Sequence, residues 1–197
     1  MIEKQYWTNR QISILEFSFD EIRRLNLTQL NISHLRLQGY NQDELLELFK
    51  DDNGLITELV KYWAWKETWE VNQVLITIKN PFSRLLTLLK WGFKNNRYVK
   101  LYLYLQRMQL PNEAIKEIDE VNRRKHEFLS DLLIDRGLSV EQAEMRTKTI
   151  FPFYYGWVKD KDDHIKSDIQ KFAMLSIVKT MLFPELFRNE KPSLKNL

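Results

Sequence analysis

Asn41 and Gln42 carry primary amides, the side chains best shaped to hydrogen-bond a base edge, since each can meet adenine bidentately. Beside them stand Asp43, Glu44 and Glu47, carboxylates able to accept from a cytosine amino group and bound to repel a polyanion. His34 and Arg36 just before this stretch, and Lys50 just after it, can meet phosphate oxygens, with Arg10 more distant. Few other residues group for chemistry. The three histidines, His34, His126 and His164, are far apart and lack metal-spaced ligands, so no metal site is expected. The sequence has no cysteine, no GxSxG elbow and no glycine-rich phosphate loop. Carboxylates such as Glu16 and Asp20 stand at the ordinary spacing of a helix surface. Acids flank the basic run Arg123-Arg124-Lys125-His126, which therefore reads as a solvated face. A chain without catalytic residues or cofactor is the expectation.

The elements that would position Asn41 and Gln42 are two short helices around Gly39-Tyr40. Asn31 is a natural N-cap for the first, with Ile32, Leu35 and Leu37 as its apolar face. Gly39 supplies the positive φ that ends a helix, and Asn41 caps the next, with Glu44 as capping-box partner. Leu45, Leu46, Leu48 and Phe49 are expected to bury that second helix, and Asp51-Asp52-Asn53-Gly54 reads as a further turn. Two short helices joined by a glycine turn make a helix-turn-helix, whose second helix can enter a major groove.

Composition bounds the rest. The chain has 197 residues, 44% of them hydrophobic, with only 5 Gly and 5 Pro, which predicts a globular, helical protein with a substantial core. The absence of cysteine fits a reducing compartment. Met1-Ile2-Glu3-Lys4 does not open a signal peptide and no apolar run approaches a membrane span, so a cytoplasmic protein without membrane contact is expected. The net charge of +3 is unevenly spread. Residues 1–60 hold six Lys or Arg against ten Asp or Glu, and the remainder holds 24 against 17. A DNA-reading segment is normally the basic part of a chain, and here it is the acidic part.

Periodicity and caps predict nine helices and no strand. A Thr8–Gln11 capping box opens helix one, to about 25, with Ile12, Leu15, Phe19 and Ile22 inward and Asn26-Leu27-Thr28 as the break. After the two short helices come spans of about 55–78, 81–94, 97–109, 113–136, 140–158 and 164–183. Asn80-Pro81 is a cap followed by a first helical residue. Helix seven places Ile115, Ile118, Val121, Phe128, Leu129, Leu132 and Leu133 inward, Gly137 ends it, and Ser139 with Gln142 caps helix eight. Pro152 should kink or split helix eight. Lys159 to Asp163 reads as a charged loop, and Pro184 ends helix nine. Helices eight and nine are apolar around much of their circumference, through Ile150, Phe151, Phe153, Tyr154 and Trp157, then Phe172, Met174, Leu175, Ile177, Val178, Met181 and Leu182. Such helices need cover on both sides, which favours a homodimer through about 140–158 and 164–183 over burial within one subunit. The 6 Trp, 8 Tyr and 11 Phe give two readings, ordinary core or the lining of an apolar ligand site. Trp63, Trp69, Trp91, Tyr102, Met108, Phe151 and Tyr155 are the candidate lining residues.

The order of elements and several runs resemble the TetR/AcrR family of bacterial repressors. Leu45-Leu46-Glu47-Leu48-Phe49-Lys50-Asp51 followed by Leu55 is similar to the end of that family's recognition helix, its Phe-Lys-Asp turn and the leucine opening helix four. Val121-Asn122-Arg123-Arg124-Lys125, Leu132-Leu133, Gly137-Leu138-Ser139-Val140-Glu141-Gln142-Ala143 and Tyr155-Gly156 resemble its helices seven and eight. The likeness runs from about residue 10 to 183. It implies an all-α, nine-helix homodimer: a three-helix helix-turn-helix head over 1–52 and a six-helix ligand-binding and dimerisation core over 53–197. It further implies operator DNA and a small-molecule effector as partners. The chain departs from the family where Leu46 replaces the recognition-helix tyrosine and where the first turn reads Asn41-Gln42-Asp43-Glu44. A dimeric helical ligand-binding or interaction protein, its head no longer reading DNA, is the alternative.

Overall fold

The structure, a computed structural model, describes residues 7–25, 30–95, 97–159 and 168–183. The expected Asn26-Leu27-Thr28 break, most of the 159–163 loop, His164, the first turn expected of helix nine and Pro184 lie outside the described residues. Among those residues the chain is all-α, with no strand and nine helices: α1 (Asn9–Leu25), α2 (Ile32–Leu37), α3 (Gln42–Phe49), α4 (Asp52–Leu75), α5 (Pro81–Lys94), α6 (Arg97–Leu105), α7 (Asn112–Ile134), α8 (Val140–Lys159) and α9 (Asp168–Leu182). No helix among the described residues is long and apolar enough to cross a membrane.

Local chemistry sets most of the ends. The Thr8 amide donates to Gln11 Oε1 at 2.9 Å, and the Gln11 amide donates back to Thr8 Oγ1 at 3.1 Å, closing a capping box. Asn31, Asn41, Asp51 and Asn80 each cap the helix that follows, and Pro81 sits in the first turn of α5. α2 and α7 both end in Schellman motifs, with Gly39 at φ +94° and Gly137 at φ +99° in the left-handed position. Their closing bonds run from the Tyr40 amide to Leu35 O at 3.2 Å and from the Leu138 amide to Leu133 O at 3.2 Å. α6 stops at Leu105, a turn earlier than the periodicity suggests. α8 runs through Pro152 without a break. The proline therefore does not split the helix, although it leaves the Lys148 carbonyl without its intrahelical donor and crowds it with the ring.

The chain divides into two compact units, one of 1–77 with 96–125 and one of 78–95 with 126–197. The first takes in the whole expected head together with α4, α6 and the start of α7. In it α1 packs on both α4 and α6, and α3 on α2 and α4. Ile14, Leu15, Phe19 and Ile22 of α1, Leu55, Leu59, Val60 and Trp63 of α4, and Tyr98, Leu101 and Leu105 of α6 are all buried. Each such side chain contributes about 1.5–3 kcal/mol by leaving water, so this layer dominates the stability of the unit. Polar ties lock its register. Tyr62 and Lys66 both donate to Glu16 Oε1, Trp7 Nε1 donates to Glu58 at 2.8 Å, and Arg97 pairs with Glu70 at 2.6 Å.

The second unit is built on Leu85 of α5, Leu129, Leu132 and Leu133 of α7, Ala143 and Ile150 of α8, and Leu175, Val178 and Leu182 of α9. Tyr154 donates its hydroxyl to the Gly92 carbonyl at 2.6 Å, tying α8 to α5, and Ser130 Oγ bonds Thr147 Oγ1 at 3.1 Å between α7 and α8. Three expected inward residues prove exposed: Leu37 at 78%, Leu46 at 40% and Ile115 at 43%. In α7 the inward place belongs to Ala114, which shares a helical face with the buried Ile118 and Val121, and that phasing turns Ile115 outward.

Candidate nucleic-acid interface

Leu35 of α2 and Leu45 and Phe49 of α3 are buried, while Gln42, Asp43, Leu46 and Glu47 of α3 are exposed. One side of α3 is thus held in the first unit and the other is presented to water, as the alternation of its apolar residues at helical spacing requires.

The polar side chains around α3 are largely engaged with one another. Asn41 Oδ1 accepts from the Asp43 and Glu44 amides at 2.8 and 3.1 Å, so the oxygen needed for bidentate reading of adenine is occupied as a helix cap. Gln42 Oε1 accepts from Arg36 at 3.2 Å, which brings these two candidate residues together. Glu44 does not close a capping box. Arg10 of α1 takes its carboxylate with two bonds, at 2.7 and 2.8 Å, and those hydrogen bonds are the main reason the Glu44 pKa lies below its usual range. Arg10, a distant candidate for phosphate, is therefore spent on the acidic helix. His34 Nε2 lies 3.2 Å from Glu21 Oε2. Burial pushes the Glu21 carboxyl up, and the hydrogen bonds and charges of Arg24 and His34 more than reverse this, leaving it low. Lys50 is exposed, and Asp43 and Glu47 keep the outer face of α3 acidic.

The joint between α3 and α4 carries information that spacing did not reveal. Asp52, Asn53 and Gly54 form the first turn of α4, not a loop before it, and Asp51 caps that turn by accepting from the Gly54 amide at 2.7 Å. Lys50 has φ +69° and ψ −55°, and the Asp51 amide donates to Phe49 O at 2.9 Å. This is a γ-turn of the strained hand, with a non-glycine residue at its centre. A Cβ on Gly54 would stand 1.9 Å from the Phe49 carbonyl oxygen, so only glycine lets the last residue of α3 rest on the first turn of α4. A lone glycine after Asp-Asp-Asn signals either a turn or a close approach, and the sequence could not separate the two.

The aromatic candidates fall in both units. In the first, Trp63 is fully buried and stacks on Tyr102, ring centroids 6.2 Å apart at 17°, with Lys125 Nζ 5.1 Å above the indole. Lys125 pairs with the buried Glu67 at 2.7 Å, and Tyr102 Oη accepts from Asn122 at 3.2 Å. Met108 is also buried. Trp69 is 51% exposed and stacks on Trp65 at the surface, so it does not join Trp63. In the second unit Phe151 stacks on His126 at 4.5 Å and lies 5.9 Å from Tyr155, while Trp91 is partly buried on α5. Burial, with help from the Lys148 charge, lowers the His126 pKa. Among the described residues no group of His, Asp or Glu converges as a metal ion would need.

Comparison of the chain with protein-family models, curated proteins and solved structures finds no match. Its class therefore rests on its own geometry: an all-α protein of two compact units, in which two short capped helices around a glycine turn present one face of α3.

Proposed function

We propose that the chain is a TetR-like transcriptional regulator, a homodimer that meets operator DNA through α2 and α3 and responds to a small effector. The observation that carries this reading is α3 itself, buried through Leu45 and Phe49 and bare along Gln42, Asp43, Leu46 and Glu47. A helix fixed on one side and open on the other is the arrangement that major-groove reading needs. Arg36 and Lys50, both exposed, supply phosphate contacts on either side of it. The dimer is supported by α8 and α9. Met145, Thr149, Pro152, Phe153 and Gly156 form an exposed uncharged stripe on α8, and Ala173, Ile177 and Thr180 form one on α9. Uncharged stripes of this kind suit a twofold helix pairing.

Fluorescence anisotropy with duplex DNA from upstream of the gene tests the proposal. The expected result is binding whose affinity falls steeply with salt, and whose salt slope shrinks by about one per contact in Arg36→Ala and Lys50→Ala. Absence of binding at low salt contradicts it. The engaged oxygens of Asn41 and Gln42 and the acids of α3 favour a second reading, a dimeric ligand-binding or interaction protein. On that reading the same titration stays flat.

A further inference from the structure

Gln42 and Leu46 stand one helical turn apart on the outer side of α3, flanked by Asp43 and Glu47, and all four are exposed. Leu46 is 40% exposed, while Leu45 and Phe49 on the same helix are buried. An exposed leucine by itself is ordinary on a protein surface. This one lies in line with an amide whose two ends are treated differently. Arg36 Nη1 donates to Gln42 Oε1 at 3.2 Å, and because an arginine can only donate, the amide oxygen is the end that faces it. The Gln42 amide nitrogen has no acceptor among the described residues, so it remains a donor on the outer face. Asn41 does not supply the missing oxygen, since its Oδ1 accepts from the Asp43 and Glu44 amides at 2.8 and 3.1 Å. The middle of this face therefore presents a hydrogen-bond donor followed by an apolar group, with carboxylates at its edge.

Among the base edges of the major groove only thymine carries an apolar group, its C5 methyl, and beside it stands the O4 acceptor. Adenine pairs an acceptor with a donor there, and meeting both needs the amide oxygen that Arg36 holds. Cytosine lacks the methyl and would set its N4 donor against the Gln42 donor. We propose that Leu46 is a specificity-determining residue that packs on the C5 methyl of one thymine in each half-site, with the Gln42 amide nitrogen donating to that thymine's O4. The proposal rests on the regulator reading, and it names the base that α3 selects.

Fluorescence anisotropy of the full chain tests it with two duplexes, the one from upstream of the gene and a copy carrying deoxyuridine in place of every thymidine. The exchange removes the methyl groups and keeps every hydrogen-bonding edge. One buried methyl is worth about fourfold in affinity, so wild type should bind the deoxyuridine copy about fourfold more weakly for each half-site engaged. Single replacements along the duplex should place that loss at one symmetric pair of base pairs. Leu46→Ala should bind the thymine duplex more weakly than wild type, by about fourfold or more, and bind the two duplexes within about twofold of each other. That last arm separates a methyl contact from any effect of the exchange on DNA shape. Should Leu46→Ala fail to fold, a nuclear Overhauser contact between the Leu46 methyls and a thymine methyl in the wild-type complex gives the answer directly. Equal binding of both duplexes by wild type, a folded Leu46→Ala that discriminates as wild type does, or a complex without that methyl contact would overturn the proposal and leave the regulator reading standing. A flat titration with both duplexes would remove the two together.

Discussion

Glu16 shows how single residues hold the first unit in register. Burial pushes its pKa up, but hydrogen bonds from Lys66 and Tyr62 and the charges of Lys66 and Arg97 outweigh burial, and the net value lies below the ordinary 4.5. A carboxyl whose folded pKa is lowered contributes stability in full above its unfolded pKa and loses it as pH falls through the folded one. Denaturant titrations should therefore find Glu16→Gln less stable than wild type by about 1 kcal/mol at neutral pH, a modest figure because the group is partly solvated. The gap should close as the pH drops below about 4.5. A gap that persists in acid would assign the loss to packing. Tyr62→Phe, which removes the hydroxyl donor and leaves the ring, should cost about 1 kcal/mol in the same assay. Residues of this kind were hard to read in advance. Glu16 looked like an ordinary surface acid on α1, because its partners Tyr62 and Lys66 come from α4 and meet it only through tertiary packing.

At the scale of elements, helix ends were the most legible feature, because an N-cap or a glycine terminator acts within its own turn. Asn31, Asn41 and Asn80 cap their helices as the sequence predicts, and the Thr8–Gln11 box closes as expected. The orientation of short helices was less legible. Six-residue α2 and eight-residue α3 have too few turns for periodicity to choose between Leu35 and Leu37, or between Leu45 and Leu46. The α3–α4 joint depends on a backbone approach, for which spacing gives no signal. It can be tested from both sides. Gly54→Ala must push the Phe49 carbonyl away and should cost about 1–3 kcal/mol in thermal or chemical unfolding. Lys50→Gly relieves a strained φ and should leave stability unchanged or raise it by up to about 1 kcal/mol. If Gly54→Ala proved harmless, the described closeness of Phe49 to α4 would be wrong.

For the molecule as a whole, the all-α class was legible because breakers are few and apolar residues recur at helical spacing throughout. The expected aromatic site was less so. Its seven residues divide between two compact units, Trp63, Trp69, Tyr102 and Met108 in one and Trp91, Phe151 and Tyr155 in the other. An aromatic at helical spacing carries no mark of whether it faces core, ligand or water, and Trp69 faces water. The uncharged stripes of α8 and α9 lead to a further expectation. Phe153→Glu with Ile177→Glu, both at exposed positions, should leave the fold intact and convert dimer to monomer in light scattering at micromolar concentration. A wild-type protein already monomeric under those conditions would remove the dimer.

On the proposed regulator reading, α3 is a DNA-reading helix carried in duplicate. Selection of the full chain against a random-sequence duplex library at low salt measures this most directly. The account predicts enrichment of an inverted repeat with half-site centres about one helical turn apart or more. Recovery of no enriched sequence, with the protein dimeric and folded, would contradict it.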